Sequence, residues 1–386
     1  MRAHGAATPR DDRVRAPHAP RRREAVAPAP GLGSPDALVA LQRTAGNRAA
    51  RQAVQGRGST HPARPVVQRA AYGLDLQPSQ DRYVDQAARL YRSNKRMPID
   101  DFVKAVMTTI AGELKAAGVP HFAWALVSGD GAAGAFDSEH WKVLVNTAKF
   151  REGDVPPTVL GDLTPQQVTE VVGTLYHESR HADQDVVIIR SLLDQRQSPA
   201  QIHATTKMPL TVVEAVKATT YPTPLDPDQV AHAGRMFDVM YGAHRELLQL
   251  LMQSSAAFGG LDELAQPDSV LADGAPHVAV FTTWQRNVLQ PKLTRMAAAR
   301  NPSAVEKALR ERLTTVGTAI TGLAAAWAKV ARAKRPSTAD QAAVRTKAGA
   351  VRDAVLAAYN SLEGEVDAFR VEAKVKAAFG AKIAKP

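Results

Sequence analysis

Apolar residues along this chain recur mostly at helical spacing, and the clearest run lies between Thr164 and Arg190. There Val168, Val171, Val172, Leu175, Ala182, Val186 and Ile189 form one stripe. Thr164 as N-cap, Pro165 behind it and Gln167 three residues after the cap predict where this helix begins. It should run on to Gln197 and stop at Ser198-Pro199. Upstream, the spacing predicts helices over Gln80–Tyr91 and Ile99–Ala117, the second opened by Pro98 and closed by Gly118. His121–Val127 and His140–Val145 are short, apolar and aromatic, which predicts two strands with Ser128–Gly134 as their turn. Residues 151–163 read as a Pro/Gly loop.

Downstream, Leu210–Thr219 reads as a helix and Asp228–Gln253 as a helix or helix pair, separated by the YPTPLDP loop. Residues 259–276 read as loop, and 277–299 as a helix kinked at Pro291. Ser303–Lys334 and Thr338–Phe379 predict an antiparallel helical hairpin at the C-terminal end. Residues 1–33 and 48–70 are rich in Arg, Pro and Ala and carry too little apolar surface to offset the entropy of ordering. Between them a short helix is predicted over 34–47, with Ser34 as N-cap, Leu38, Leu41 and Gln42 on one face and Gly46-Asn47 as the stop. The expected fold class is therefore α+β and mainly α-helical. Its parts are a basic tail at 1–70, a body at 71–300 and a helical hairpin at 301–386.

Charge and composition narrow the function classes. The net charge of +11 divides unevenly: +9 over 1–70, −5 over 71–300 and +7 over 301–386. With the basic charge in a tail and a helical end, and no groove-reading motif, nucleic acid is disfavoured as a partner. The tail fits solubility or docking on an acidic partner better. Cysteine is absent, so disulfides and thiolate metal sites are excluded. No apolar run reaches 18 residues, so no membrane span is expected. The N-terminal arginines are not followed by an apolar core, so no signal peptide is expected either.

Inside the best-defined helix stands His177-Glu178-Ser179-Arg180-His181. Histidines four apart project from one helix face and can share a Zn²⁺ ion, while Glu178 suits a general base toward water on the open side. Gly173, one turn earlier, leaves room beside the metal. A catalytic zinc site needs a third protein ligand. In the last helix, Tyr359, Leu362, Val366 and Phe369 read as the apolar face. Glu365, at i+3 from Leu362 and i−4 from Phe369, joins that face, whereas Glu363 and Asp367 read as pointing away. A carboxylate aimed into a packed interface needs a partner, and a metal is one. The other donors that the sequence offers are His232, His244, Glu246 and Asp367. Arg180 reads as a helix-surface ion pair or a contact to a ligand carboxylate. Tyr241 and Tyr359 read as buried structural tyrosines or as donors to a developing oxyanion.

Two resemblances give these residues a context. Leu41-Gln42-Arg43-Thr44-Ala45-Gly46-Asn47, followed by Val67-Gln68-Arg69, resembles the N-terminal signature of proteins associated with bacterial extracellular contractile injection systems. That resemblance implies a cargo marked for loading into the particle by Leu41, Gln42, Arg43, Gly46 and Asn47. Such a cargo would be cytoplasmic in the producing bacterium and then carried by an extracellular particle. The stretch Tyr176–Gln184, with Asp183 and Gln184 after the second histidine, resembles the HExRHAEQ form of metallopeptidases linked to those systems. Residues around Glu365 resemble the ExDA or ExxA signature that supplies a glutamate ligand in several HExxH families. The resemblance implies a zincin-like domain in which His177, His181 and Glu365 bind Zn²⁺ and Glu178 is the base. In that family the last strand before the metal helix is often the sheet edge that pairs with an extended peptide substrate. The expectation is a zinc metallopeptidase effector. The contrasting expectation is a non-catalytic structural or docking component of the particle.

Overall fold

The computed structural model describes residues 72–127, 133–150, 156–242, 245, 264, 274–302, 304–333 and 335–384. The tail, the 34–47 helix and the candidate donors His244 and Glu246 lie outside the described residues. The described chain is mainly helical with one small sheet. Two helices open it, α1 (Gln77–Ser93) and α2 (Ile99–Ala116). Gly118, just past α2, takes φ +81°, and a Cβ there would stand 2.7 Å from the Tyr221 ring, so the stop needs glycine.

The sheet holds β1 (Ala123–Leu126), β2 (Gly134–Asp137) and β3 (Lys142–Val145) in the order β1-β3-β2. β3 is parallel to β1, with Ala123 opposite Lys142, and antiparallel to β2, with Gly134 opposite Val145. Two expectations change here. Gly134 opens a strand rather than closing a turn, and the last strand before the long helix is central, so the edge beside that helix is β2. GAFD is too short for an alternating pattern to show, and its leading glycine mimics a turn residue.

α3 (Pro165–Asp194) follows, opened by a reciprocal cap. The Thr164 hydroxyl accepts from the Gln167 backbone N–H at 3.2 Å, and the Gln167 side chain accepts from the Thr164 N–H at 2.8 Å. The single apolar stripe read from the sequence understates its burial, because every residue from Val171 to Ile189 is buried. This is a central helix with protein on all sides.

Ser198-Pro199 both ends α3 and starts a further helix, α4 (Pro199–Thr206), since Ser198 forms a capping box with Gln201. α5 (Leu210–Ala218) and α6 (Pro227–Met240) follow, the latter capped by Asp226 and ending before Tyr241. The kink expected at Pro291 appears as a π-turn over Gln285–Leu289, between α7 (Gly274–Trp284) and α8 (Gln290–Ala298). Pro291 cannot donate to the preceding turn and its ring crowds it, which the wider turn accommodates.

α9 (Ala304–Arg332) and α10 (Thr338–Tyr359) form the predicted hairpin. The chain then breaks at Asn360–Leu362, and α11 (Glu363–Ala384) is a separate helix rather than the end of α10. The break divides two cores. Leu313, Val316, Ile320, Val344 and Val351 of α9 and α10 pack with Phe281 of α7. Val371, Val375 and Phe379 of α11 instead join α1, α2, α3 and the sheet. α11 also meets more neighbours than one face could serve. Asp367, expected to point outward, is buried, and Glu363 meets His232 and Arg235, whereas Val366 is 38% exposed. Among the described residues, no helix is long and apolar enough to cross a membrane.

Candidate metal centre

α3 and α11 cross so that His177, His181 and Glu365 converge, and one ligand atom from each lies within 4.8 Å of the others. All three are buried. The two oxygens of Glu365 face different rings. Oε2 lies 3.4 Å from His177 Nε2, and Oε1 lies 3.6 Å from His181 Nε2. The imidazoles stand edge to face with centroids 5.0 Å apart, as i and i+4 on one helix should. This trio could hold a metal ion.

The far side of each ring is anchored. Glu372, two turns beyond Glu365 on the same face of α11, lies 2.9 Å from His177 Nδ1. Gln184 Oε1 lies 2.8 Å from His181 Nδ1. The Gln184 amide nitrogen donates to the Gly364 carbonyl at 2.9 Å and to Asp367 at 3.0 Å, so its oxygen must face the histidine. Both Nδ1 atoms therefore donate, which turns both Nε2 atoms toward Glu365. Tyr359, the last residue of α10, donates to Glu365 Oε1 at 2.6 Å. Of the two roles read for it, the structure shows a buried tyrosine that orients the carboxylate.

Electrostatics favour a cation in this cluster. Burial alone would lower His177, but Glu365 and Glu372 outweigh it and hold the imidazole well above its usual range. Burial, aided by His177, lowers His181. Glu365 is held below the usual carboxylate range because His181, His177 and Tyr359 overcome the effect of its burial. Glu178, Glu365 and Glu372 thus crowd three buried carboxyls around the His177 imidazole, and Lys376 pairs with Glu372 at 2.5 Å.

Glu178 is 3% exposed, and its Oε2 has no hydrogen-bond partner. Burial, reinforced by Glu365 and Glu372, raises its carboxyl to about 7, against the opposing pull of His177 and the Phe136 backbone N–H. β2 runs along this side of α3, and a Cβ on Gly134 would stand 2.7 Å from Glu178 Cγ. Glycine is what lets the strand come this close. Gly173 has a different purpose from the one expected: a Cβ there would meet the stem of Lys376, so it makes room for the residue that holds Glu372 rather than beside a metal.

The remaining sequence candidates fall outside the trio. His232 donates or accepts through Nδ1 with Glu363 at 2.9 Å, and its Nε2 stands 4.0 Å from Asp367. Arg180 is fully buried rather than on a helix surface, and it contacts Asp367 at 3.0 Å rather than a ligand carboxylate. The same guanidinium pairs with Asp183, donates to the Tyr72 carbonyl at 2.8 Å and lies 4.1 Å over the Tyr72 ring. Asp183 accepts from the Leu74 N–H at 2.8 Å, where Gly73 at φ +51° lets the backbone approach. Asp367 also accepts from Arg370 at 2.8 Å. Arg180 and Asp367 thus lock α3, α11 and the start of the folded body together. Glu372 is a functional side chain that the sequence reading did not single out, although its i+7 relation to Glu365 places both on one face.

Comparison with known protein families, curated proteins and solved structures finds no match.

Proposed function

We propose that this chain is a zinc-dependent peptidase with a zincin-like centre, carried as cargo by a bacterial contractile injection particle. The observation that carries the enzymatic half is the buried meeting of two Nε2 atoms, one carboxylate and an unpartnered acid beside them. Two imidazoles and a glutamate are a hydrolytic zinc donor set. The ligand atoms lie within 4.8 Å of one another, and each ring meets its own oxygen of Glu365 at 3.4 and 3.6 Å, near the roughly 3.3 Å between ligands of a tetrahedral zinc. When bound, the ion supplies Lewis acidity toward water and toward a peptide carbonyl. Glu178, through its free Oε2, takes a proton from the attacking water and returns it to the leaving amine. A docking component would need neither the free acid nor its glycine-lined approach.

Stoichiometric zinc in the purified chain is the expected result, with cleavage of peptides lost on chelation and restored by Zn²⁺. His181→Ala should hold no zinc. Wild-type protein without zinc, or zinc-loaded protein without hydrolytic activity, would return the docking reading. The delivery half rests on the string at 41–47. Deleting residues 34–47 is expected to abolish loading into the particle without changing zinc content, and unchanged loading would refute it.

A further inference from the structure

One turn beyond His181, α3 carries a second buried acid that the zinc chemistry does not use. Asp185 is 2% exposed, and its Oδ2 has no hydrogen-bond partner. Its Oδ1 accepts from the Tyr241 hydroxyl at 3.2 Å, and that hydroxyl lies 3.4 Å from Ser138 Oγ. Among the described residues, no cationic side chain makes an ion pair with it. Burial lifts its carboxyl to about 8, a cost that the Tyr241 bond only partly offsets.

Its position relates it to the site. Along α3, Glu178 and Asp185 are seven residues apart and share a face. β2 follows that face: Gly134 lies against Glu178, the Phe136 N–H bonds it, and Ser138, just past the strand, reaches the Tyr241 hydroxyl beside Asp185. Tyr241, which donates to this carboxyl, is itself only partly buried. Glu139 adds negative potential at Tyr241. A buried carboxyl with one free oxygen, held by the Tyr241 hydroxyl with that of Ser138 behind it, is a receptor for a cationic group, whose arrival would favour its ionised form.

We propose that Asp185, with the hydroxyls of Ser138 and Tyr241, is the subsite that takes a cationic group of the peptide substrate, either a basic side chain or a free α-amine. This rests on the peptidase reading for its purpose but not for its detection, because binding can be measured without turnover. The full chain, wild type and Asp185→Asn, is titrated by calorimetry with three probes. Nα-acetyl-lysinamide offers only a side-chain ammonium, norleucinamide only an α-ammonium, and Nα-acetyl-norleucinamide neither. One cationic probe should bind wild type about tenfold or more tighter than the neutral one, and that preference should vanish in Asp185→Asn. Which probe wins separates the two sources. A structural role gives a different pattern, in which Asp185→Asn and Tyr241→Phe both lower the melting temperature and leave probe binding alone. That pattern, or equal binding of all three probes by wild type, overturns the proposal. A chain that binds the cationic probe through Asp185 yet holds no zinc would sink the peptidase reading and leave the subsite standing.

Discussion

Glu178→Gln is expected to keep the zinc and to lower peptide cleavage by about 10²–10⁴-fold, the usual worth of a positioned general base. The substitution is isosteric, so the close pass of Gly134 over the side chain is undisturbed, and the amide oxygen can still accept from the Phe136 N–H. What disappears is the free Oε2, the one atom of this side chain placed to receive a proton. The ligand trio does not include Glu178, so metal content should stay at the wild-type level. Loss of zinc together with activity would mean that the residue is structural, and retained activity would mean that the proton goes elsewhere. The pH profile adds a second check. Burial and two neighbouring carboxylates raise Glu178 to about 7, while a bound dication would pull it down. Activity should therefore rise with pH along an acidic limb below 7 in wild type, as the carboxylate ionises. That limb should be missing from whatever residual rate Glu178→Gln retains.

Some of this centre could be read from residue order alone, and the reasons are local. The cap of α3 is written in Thr164, Pro165 and Gln167, and helical pitch then sets His177 and His181 on one face. Glu365 was legible because Leu362 and Phe369 bracket it at helical spacing and α11 does turn that face toward α3. The same logic failed for Asp367, Glu363 and Val366. It assumes that a helix buries one face, and α3 and α11 are each covered on several. In such a helix a buried polar residue reads as exposed unless its partner is known. Those partners come from distant segments: Asp367 from Arg180, Asp183 from Leu74. The break at Asn360–Leu362 was hidden for another reason. Helix-forming residues continue on both sides, and only the requirement that α11 reach the first core, while α10 stays in the second, demands a corner there.

The largest loss of stability is expected from Arg180→Met, about 3–5 kcal/mol by urea unfolding, the cost of removing one partner from a buried charge network. Methionine replaces much of the arginine stem, so the deficit would come from charge rather than from a cavity. Asp367 would lose its strongest cation and Asp183 the guanidinium it pairs with. The pH dependence has a sign that distinguishes this from a packing defect. Burial would raise Asp367, but Arg180, Arg370 and Gln184 together hold it well below the usual carboxylate range. Its contribution to wild-type stability is therefore complete above the ordinary Asp value of about 3.9 and is lost as pH falls below it. Without Arg180 much of that contribution is absent at neutral pH, so the gap between variant and wild type should hold steady down to about pH 4 and narrow as pH drops below it. Adding Asp367→Asn should restore part of the loss, since the carboxylate left behind is then neutral. A deficit under about 1 kcal/mol, or one that ignores both pH and the second substitution, would mean that the guanidinium is not what holds α11 to α3. The outcome bears on the metal centre as well, because Gln184 donates to Asp367 with the same side chain whose oxygen faces His181. A loosened Asp367 should release Gln184 and with it the orientation of one ligand, so zinc affinity in Arg180→Met is expected to fall about 10–100-fold even at temperatures where the variant remains folded.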